Sequence, residues 1–357
     1  MKRWPVVLVA VLTMWGAAAA PALACGGLVN PNGTVSLVKT TTLAGYRNGI
    51  EHYITSFEFA GGGAEFGSIV PLPGIPSKIQ RAGDWTLQRL VEEITPEPEF
   101  VFFRSAGADS ALKAEVIEEV RIDALDITIL KGGGDSVGEW AEDNGFALTP
   151  DAPEVLDFYA ERSPIFMAAR FDPSAARNLG QNVGDGTPIH LSIPTPNPWV
   201  PLRILSLGLG EKAQVEADVF LLTEQVPDLL PVPEPAGSED GMILEVSEPA
   251  SSDLIRDLAA NKGMDWVTPL EGAADGSTHG PGMWLSYLKI DTAAGDLDHD
   301  LAIDPTGLGT PSRVAAGLVL PEEVTEAVSR TPLWAWALAA ALVAATVGLG
   351  NKALGGR

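Results

Sequence analysis

Residues Leu333 to Gly350 read LWAWALAAALVAATVGLG, an apolar run of 18 residues without one charge. At 1.5 Å per residue, a helix of that length spans roughly 27 Å, close to the hydrocarbon thickness of a bilayer. An apolar helix can also be the buried centre of a soluble core. Here Trp334 and Trp336 open the run, Lys352 and Arg357 follow it, and no acid does. This fits the aromatic belt and positive-inside bias of a membrane span. The run therefore predicts one transmembrane helix over 331–350 and a cytoplasmic tail over 351–357, with everything earlier held outside.

The other end supports the same topology. Lys2 and Arg3 precede an apolar stretch from Trp4 to Ala20, Pro21 breaks it, and Ala22-Leu23-Ala24 has the A-x-A pattern of a cleavage site. Residues 1–24 read as a secretory signal peptide cut before Cys25, or, if that pattern is accidental, as an uncleaved anchor. Cys25 is the only cysteine, so no intramolecular disulfide can form and packing must hold the fold together. A lipidated Cys25 is the alternative to ordinary cleavage, although Ala22 stands where a lipoprotein signal wants Leu.

Between the two apolar ends lie all 47 acids and only 19 of the 23 basic residues, a net charge of −28. Such a surface repels nucleic acid and anionic lipid.

The first outer segment reads as a β-hairpin. Thr34 to Ala44 and Ile50 to Phe59 are rich in β-branched and aromatic residues, and Asn48-Gly49 between them is a type I′ turn signal. Phe66 to Val70 predicts a third strand that Pro71, Pro73 and Pro76 turn out of the sheet. Asp84 is placed as the cap of a helix ending before Pro96. A strand at Phe100 to Phe103 and one or two over Val116 to Leu130 come next. Helices follow from Asp135 or Ser136 to Asn144 and from Pro153 to Arg162. Ile165–Phe171, Ile189–Ile193, Leu202–Leu207 and Val215–Leu222 read as further strands.

This sets a main region over 25–225. Val226 to Gly241, with four prolines and several acids, reads as a linker or a long ordered loop. The second part, 242–330, offers a strand at Met242–Val246, a helix at Ser252–Asn261, a strand at Met283–Ile290, an irregular Asp291–Arg313 and a stalk.

Several short stretches carry a resemblance. The Cys25-Gly26-Gly27 start, the Ser68-Ile69-Val70-Pro71-Leu72-Pro73 run, the Gly138-to-Phe146 helix end and Pro201-Leu202-Arg203 are similar to the bacterial envelope family called domain of unknown function twenty-three-thirty. The resemblance implies a signal peptide, an external domain and often a carboxyl-terminal anchor. It carries over no catalytic residue, because the family has none assigned.

The sequence is read as lacking a zinc-protease H-E-x-x-H, a P-loop, a dinucleotide fingerprint and a nucleophile elbow. The four histidines, His52, His190, His279 and His299, stand far apart, and His52 is placed on a cross-strand surface. Asp296, Asp298, Asp300 and Asp304 set carboxylates at alternate positions, as hard oxygen ligands are offered to Ca²⁺. Leu301 and Gly307 stand where an EF-hand loop needs Gly and an acid, so an exposed acidic loop is the other reading. Trp85, Trp140, Trp199, Trp266 and Trp284 suit either a core or a sugar-stacking platform.

The expected fold class is α+β, a mostly antiparallel β ectodomain with short helices, plus one carboxyl-terminal transmembrane helix. The expected function is non-enzymatic binding or scaffolding of a protein or polysaccharide partner at the cell membrane. The alternative is a hydrolase of envelope polymer that works through paired carboxylates.

Overall fold

A computed structural model describes residues 27–29, 36–60, 66–95, 115–146, 148–180, 187–267 and 282–321. The signal peptide, Cys25, the strand expected at Phe100–Phe103, His279 and the 331–350 span lie outside these residues. No helix among the described residues is long and apolar enough to cross a membrane.

The elements run in chain order as β1 (Gly27–Val29), β2 (Ser36–Arg47), β3 (Ile50–Ala60), β4 (Phe66–Leu72), β5 (Lys78–Arg81), α1 (Trp85–Ile94), β6 (Glu115–Ile122), β7 (Leu125–Lys131), α2 (Gly134–Asp143) and α3 (Ala152–Ala160). They continue as β8 (Ile165–Phe171), α4 (Pro173–Asn178), β9 (Ile189–Pro194), β10 (Trp199–Val200), β11 (Gln214–Thr223), β12 (Asp228–Leu230), β13 (Glu234–Pro235), β14 (Gly241–Pro249), α5 (Ser252–Ala259), β15 (Trp284–Ala293) and β16 (Leu301–Asp304). The class is α+β with mostly antiparallel sheets. Only the β2/β11 and β13/β14 pairings are parallel among the described strands.

The β2–β3 hairpin organises the molecule. Asn48 and Gly49 both take positive φ, 52° and 78°, as a type I′ turn requires. The hairpin sits near the middle of an eight-stranded sheet ordered β13-β14-β15-β11-β2-β3-β9-β5. Five strands, β1-β4-β8-β7-β6, form a second sheet, and β10-β16-β12 form a small third one.

Because side chains alternate along a strand, the central sheet buries two faces. Val215, Ala217, Val219 and Leu221 of β11 join the larger core, with the second sheet, α2 and α3. Phe220 and Leu222 point the other way, into a smaller core closed by Leu87 and Leu90 of α1 and by Leu254, Ile255 and Leu258 of α5. Arg89 of α1 reaches Asp257 of α5 at 3.0 Å and clips the two helices together.

Strands on either side of Val226–Gly241 share one sheet, since β11 lies between β2 and β15. Within that stretch β12 pairs with β16, and β13 with β14.

The structure corrects four local expectations. Leu202–Leu207 is not a strand but holds a 3₁₀ turn over Arg203–Ser206. Asp291–Arg313 is not irregular throughout, because β16 and a short 3₁₀ turn form inside it. Asp84 makes no cap hydrogen bond; its carboxylate goes to Arg81 at 2.5 Å instead. Pro71 stays within β4, opposite Phe166 of β8, and among the described residues β1 pairs with Gly67 to Ile69 on the other flank.

Candidate functional site

His52 of β3 and His190 of β9 stand one diagonal apart on the α1/α5 face of the central sheet, since His52 pairs with Ser192 and Ile54 with His190. The sequence placement of His52 on a surface is overturned: it is 7% exposed, and His190 is 2% exposed. Nδ1 of His52 lies 3.0 Å from Nε2 of His190. Nδ1 of His190 in turn faces Nε2 of Gln80 on β5 at 2.9 Å, and Ser192 Oγ lies 3.5 Å from His190 Nε2.

These contacts fix a direction of donation. The Gln80 amide donates to His190 Nδ1, so His190 carries its proton on Nε2 and donates it to His52 Nδ1. Both rings are neutral at ordinary pH. Burial pushes His52 down to about 3, with His190 adding to the effect, and burial followed by the Lys78 charge pushes His190 down to about 4. Asp265 acts in the opposite sense on both rings.

Trp266 covers His52. Its ring stacks on the His52 imidazole with centroids 4.2 Å apart and planes 4° from parallel. The indole lies directly over Gly45 of β2, where a Cβ would fall 2.0 Å from the ring. Only glycine leaves room for it. Arg47 Nη1 donates to the Trp266 carbonyl at 2.7 Å, and the buried Met264 and Val267 seat the turn on either side.

The neighbouring residue on β3, Glu51, is buried on the opposite face. Neither of its carboxylate oxygens meets a hydrogen-bond partner, and burial raises it to about 8 against a weaker opposing pull from the Trp199 backbone N–H. A carboxyl that stays protonated at neutral pH in an apolar setting is characteristic of functional sites, although structural cores also contain such groups.

The four aspartates of the predicted cation cluster have separate surroundings. Asp300 is wholly buried: Oδ1 accepts from Tyr159 Oη and the Leu202 and Arg203 backbone N–H groups, and Oδ2 accepts from Arg162 Nη2 at 2.6 Å. Asp304 folds its own turn by accepting from Thr306 and the Gly309 N–H. Asp298 is exposed beside His299, and exposed Asp296 closes a 3₁₀ turn. Among the described residues no three His, Cys, Asp or Glu side chains converge as a metal-binding group. Of the tryptophans, Trp140 and Trp199 are core residues and Trp85 is exposed.

The sequence does hold one G-x-S-x-G motif. Gly134-Asp135-Ser136-Val137-Gly138 has the G-x-S-x-G spacing and forms the start of α2, three residues after β7. Ser136, however, is exposed in the first turn of α2 and is not among the positive-φ residues, so the strained turn of a nucleophile elbow is missing.

A sequence profile described as an uncharacterized protein conserved in bacteria, DUF2330, matches residues 18–225. The chain belongs to this family. The DUF2330 region contains His52, His190, Gln80 and Ser192, whereas Trp266 and Asp300 lie beyond it. No curated protein matches the chain. The solved structure of baculovirus P35 overlaps 61% of this chain and 76% of that chain at 9% identity, with a TM-score of 0.34. That overlap is too slight to inform fold or function.

Proposed function

We propose that this DUF2330 protein is a membrane-anchored extracytoplasmic protein of the bacterial envelope that binds or scaffolds a protein or polysaccharide partner. The observation that carries the reading is the uncharged run Leu333–Gly350, flanked by Trp334 and Trp336 before it and by Lys352 and Arg357 after it.

Reach is consistent with this placement. Eleven residues separate Pro321 from Leu333, so the folded region would stay within roughly 40 Å of the bilayer even on a fully extended stalk.

Fractionation of cells that express the full chain tests the proposal. The protein should stay in the membrane pellet through high-salt and alkaline washes and move to the soluble fraction when 333–350 is deleted. Protease added outside intact spheroplasts should digest the folded region. Recovery of the full chain as a soluble protein, or protection of the folded region in spheroplasts, overturns it.

A further inference from the structure

We propose that His52 and His190 form a two-histidine site for a transition-metal dication of the zinc class, with Ser192 at its edge. The geometry is that of two ligands with a common target. In a tetrahedral site with bonds of 2.0–2.1 Å, two ligating nitrogens lie roughly 3.3 Å apart. His52 Nδ1 and His190 Nε2 are 3.0 Å apart, and Ser192 Oγ stands 3.5 Å from the second of them. The two nitrogens thus stand near the spacing of two ligands of one metal, with the hydroxyl oxygen beside the second. Neutral imidazole is the form that binds metal, and imidazole suits Zn²⁺, Cu²⁺, Ni²⁺ and Co²⁺ rather than Ca²⁺ or Mg²⁺.

The surrounding residues match what metal-bound histidines require. A ligating histidine donates its other N–H to an oxygen that fixes its orientation. A half-turn of the Gln80 amide presents Oε1 to His190 Nδ1 at the distance now spanned by Nε2, 2.9 Å, and turns both ring lone pairs inward. Trp266 holds the plane of the His52 ring by stacking on it. Asp265 places negative charge near both rings, which favours a cation, while Lys78 opposes it. With no third His, Cys, Asp or Glu among the described residues, the remaining positions are left for water or a ligand's own donor atoms. The site would therefore keep open coordination positions while lying buried beside Trp266.

The test uses the purified full chain in detergent, stripped with chelator and titrated with Co²⁺ and with Zn²⁺. The expected result is visible Co²⁺ absorption that saturates at one equivalent and a rise in melting temperature with Zn²⁺ that chelator reverses. His52→Gln and His190→Gln should each weaken Co²⁺ binding at least tenfold. Gln80→Leu should weaken it by about 10–100-fold, as loss of an outer-shell partner does. If the histidine variants do not fold, X-ray absorption of the zinc-loaded parent decides, since it counts imidazole ligands directly and two are expected. A folded parent that gives neither Co²⁺ absorption nor a Zn²⁺ shift shows the pair to be only a hydrogen bond and overturns the proposal. Binding that is unchanged in the double histidine variant, or a zinc spectrum with fewer than two imidazoles, overturns it as well.

Discussion

Glu51 and His52 are consecutive residues of β3, yet each is buried against a different core, Glu51 under the face shared with the second sheet and His52 under the face closed by α1 and α5. Strand alternation alone enforces this. One dipeptide therefore places a carboxyl and an imidazole in two separate apolar environments, and both groups are held in their neutral forms.

The Glu51 carboxyl makes stability depend on pH. Its folded value is raised from 4.5 to about 8, so between those limits the unfolded chain gives up a proton that the folded protein retains. Stability associated with this group is whole below pH 4.5 and is lost as pH rises through 8. At pH 7 the loss is on the order of 3 kcal/mol. Glu51→Gln keeps the shape and cannot ionise, so the variant should exceed the parent by about 4 kcal/mol at pH 8 and match it near pH 4. Denaturant unfolding at the two pH values measures this; equal differences at both would contradict it.

Asp300 and Asp298 stand two residues apart and should respond in opposite ways to the same change. Asp300 balances the buried Arg162 guanidinium, whose other contacts include the Ala315 carbonyl at 2.6 Å and the Phe158 ring 4.0 Å below it. Asp300→Asn leaves that cation without its counter-charge and should destabilise the protein by about 3–5 kcal/mol. Asp298→Asn alters an exposed side chain and should stay within about 0.5 kcal/mol of the parent. Chemical denaturation of the pair gives the comparison, and a small effect at Asp300 would show the ion pair to be dispensable.

What the sequence made legible follows from how local the signals are. Asn48-Gly49 announced its hairpin because a type I′ turn needs two positive-φ residues in a row, and β6, β7, β8, β9 and β11 were readable from β-branched runs. The parallel pairing of β2 with β11 joins Thr40 to Ala217 across 177 positions, and no local pattern records such a contact. Burial of His52 was hidden for the same reason. In Ile50-Glu51-His52-Tyr53-Ile54 the alternation suggests a wet face, whereas both faces are covered by elements from distant parts of the chain. A signal was available in Ile189-His190-Leu191, a second histidine in an equally apolar strand. Asp300 misled because spacing shows where a carboxylate sits in the chain and not which arginine, here 138 residues away, has claimed it.

Gly45 and Trp266 should behave as one unit. An added methyl at Gly45 would meet the indole at 2.0 Å and force it off His52. Gly45→Ala should therefore destabilise by about 1–3 kcal/mol through overpacking. In a Trp266→Ala background the obstacle is gone and the glycine change should lose most of its effect. A double-mutant cycle reads this directly, with a coupling of about 1 kcal/mol or more expected for residues in contact. Additive effects would mean that the ring does not rest on Gly45 in solution.

The family match ends at residue 225, but the core does not. β11, which finishes at Thr223, pairs along its whole length with β15, from Gln214 opposite Ala293 to Thr223 opposite Trp284. A chain ended at Gln225 would turn β11 into a bare edge with unpaired backbone groups, the situation that leads sheets to aggregate. It would lose Leu285, Leu288 and Ile290 from the two cores and remove Asp300 from beside Arg162, leaving a buried cation without its partner. Taken together, these losses reach the size of a whole domain's margin of about 5–15 kcal/mol. The truncated chain should therefore fail to give a soluble protein with cooperative unfolding, whereas a chain ended at Pro321 should unfold in a single transition. Circular dichroism and soluble yield of the two chains test this. A well-folded 1–225 product would show that the strands after it are an addition to the DUF2330 fold rather than part of its core.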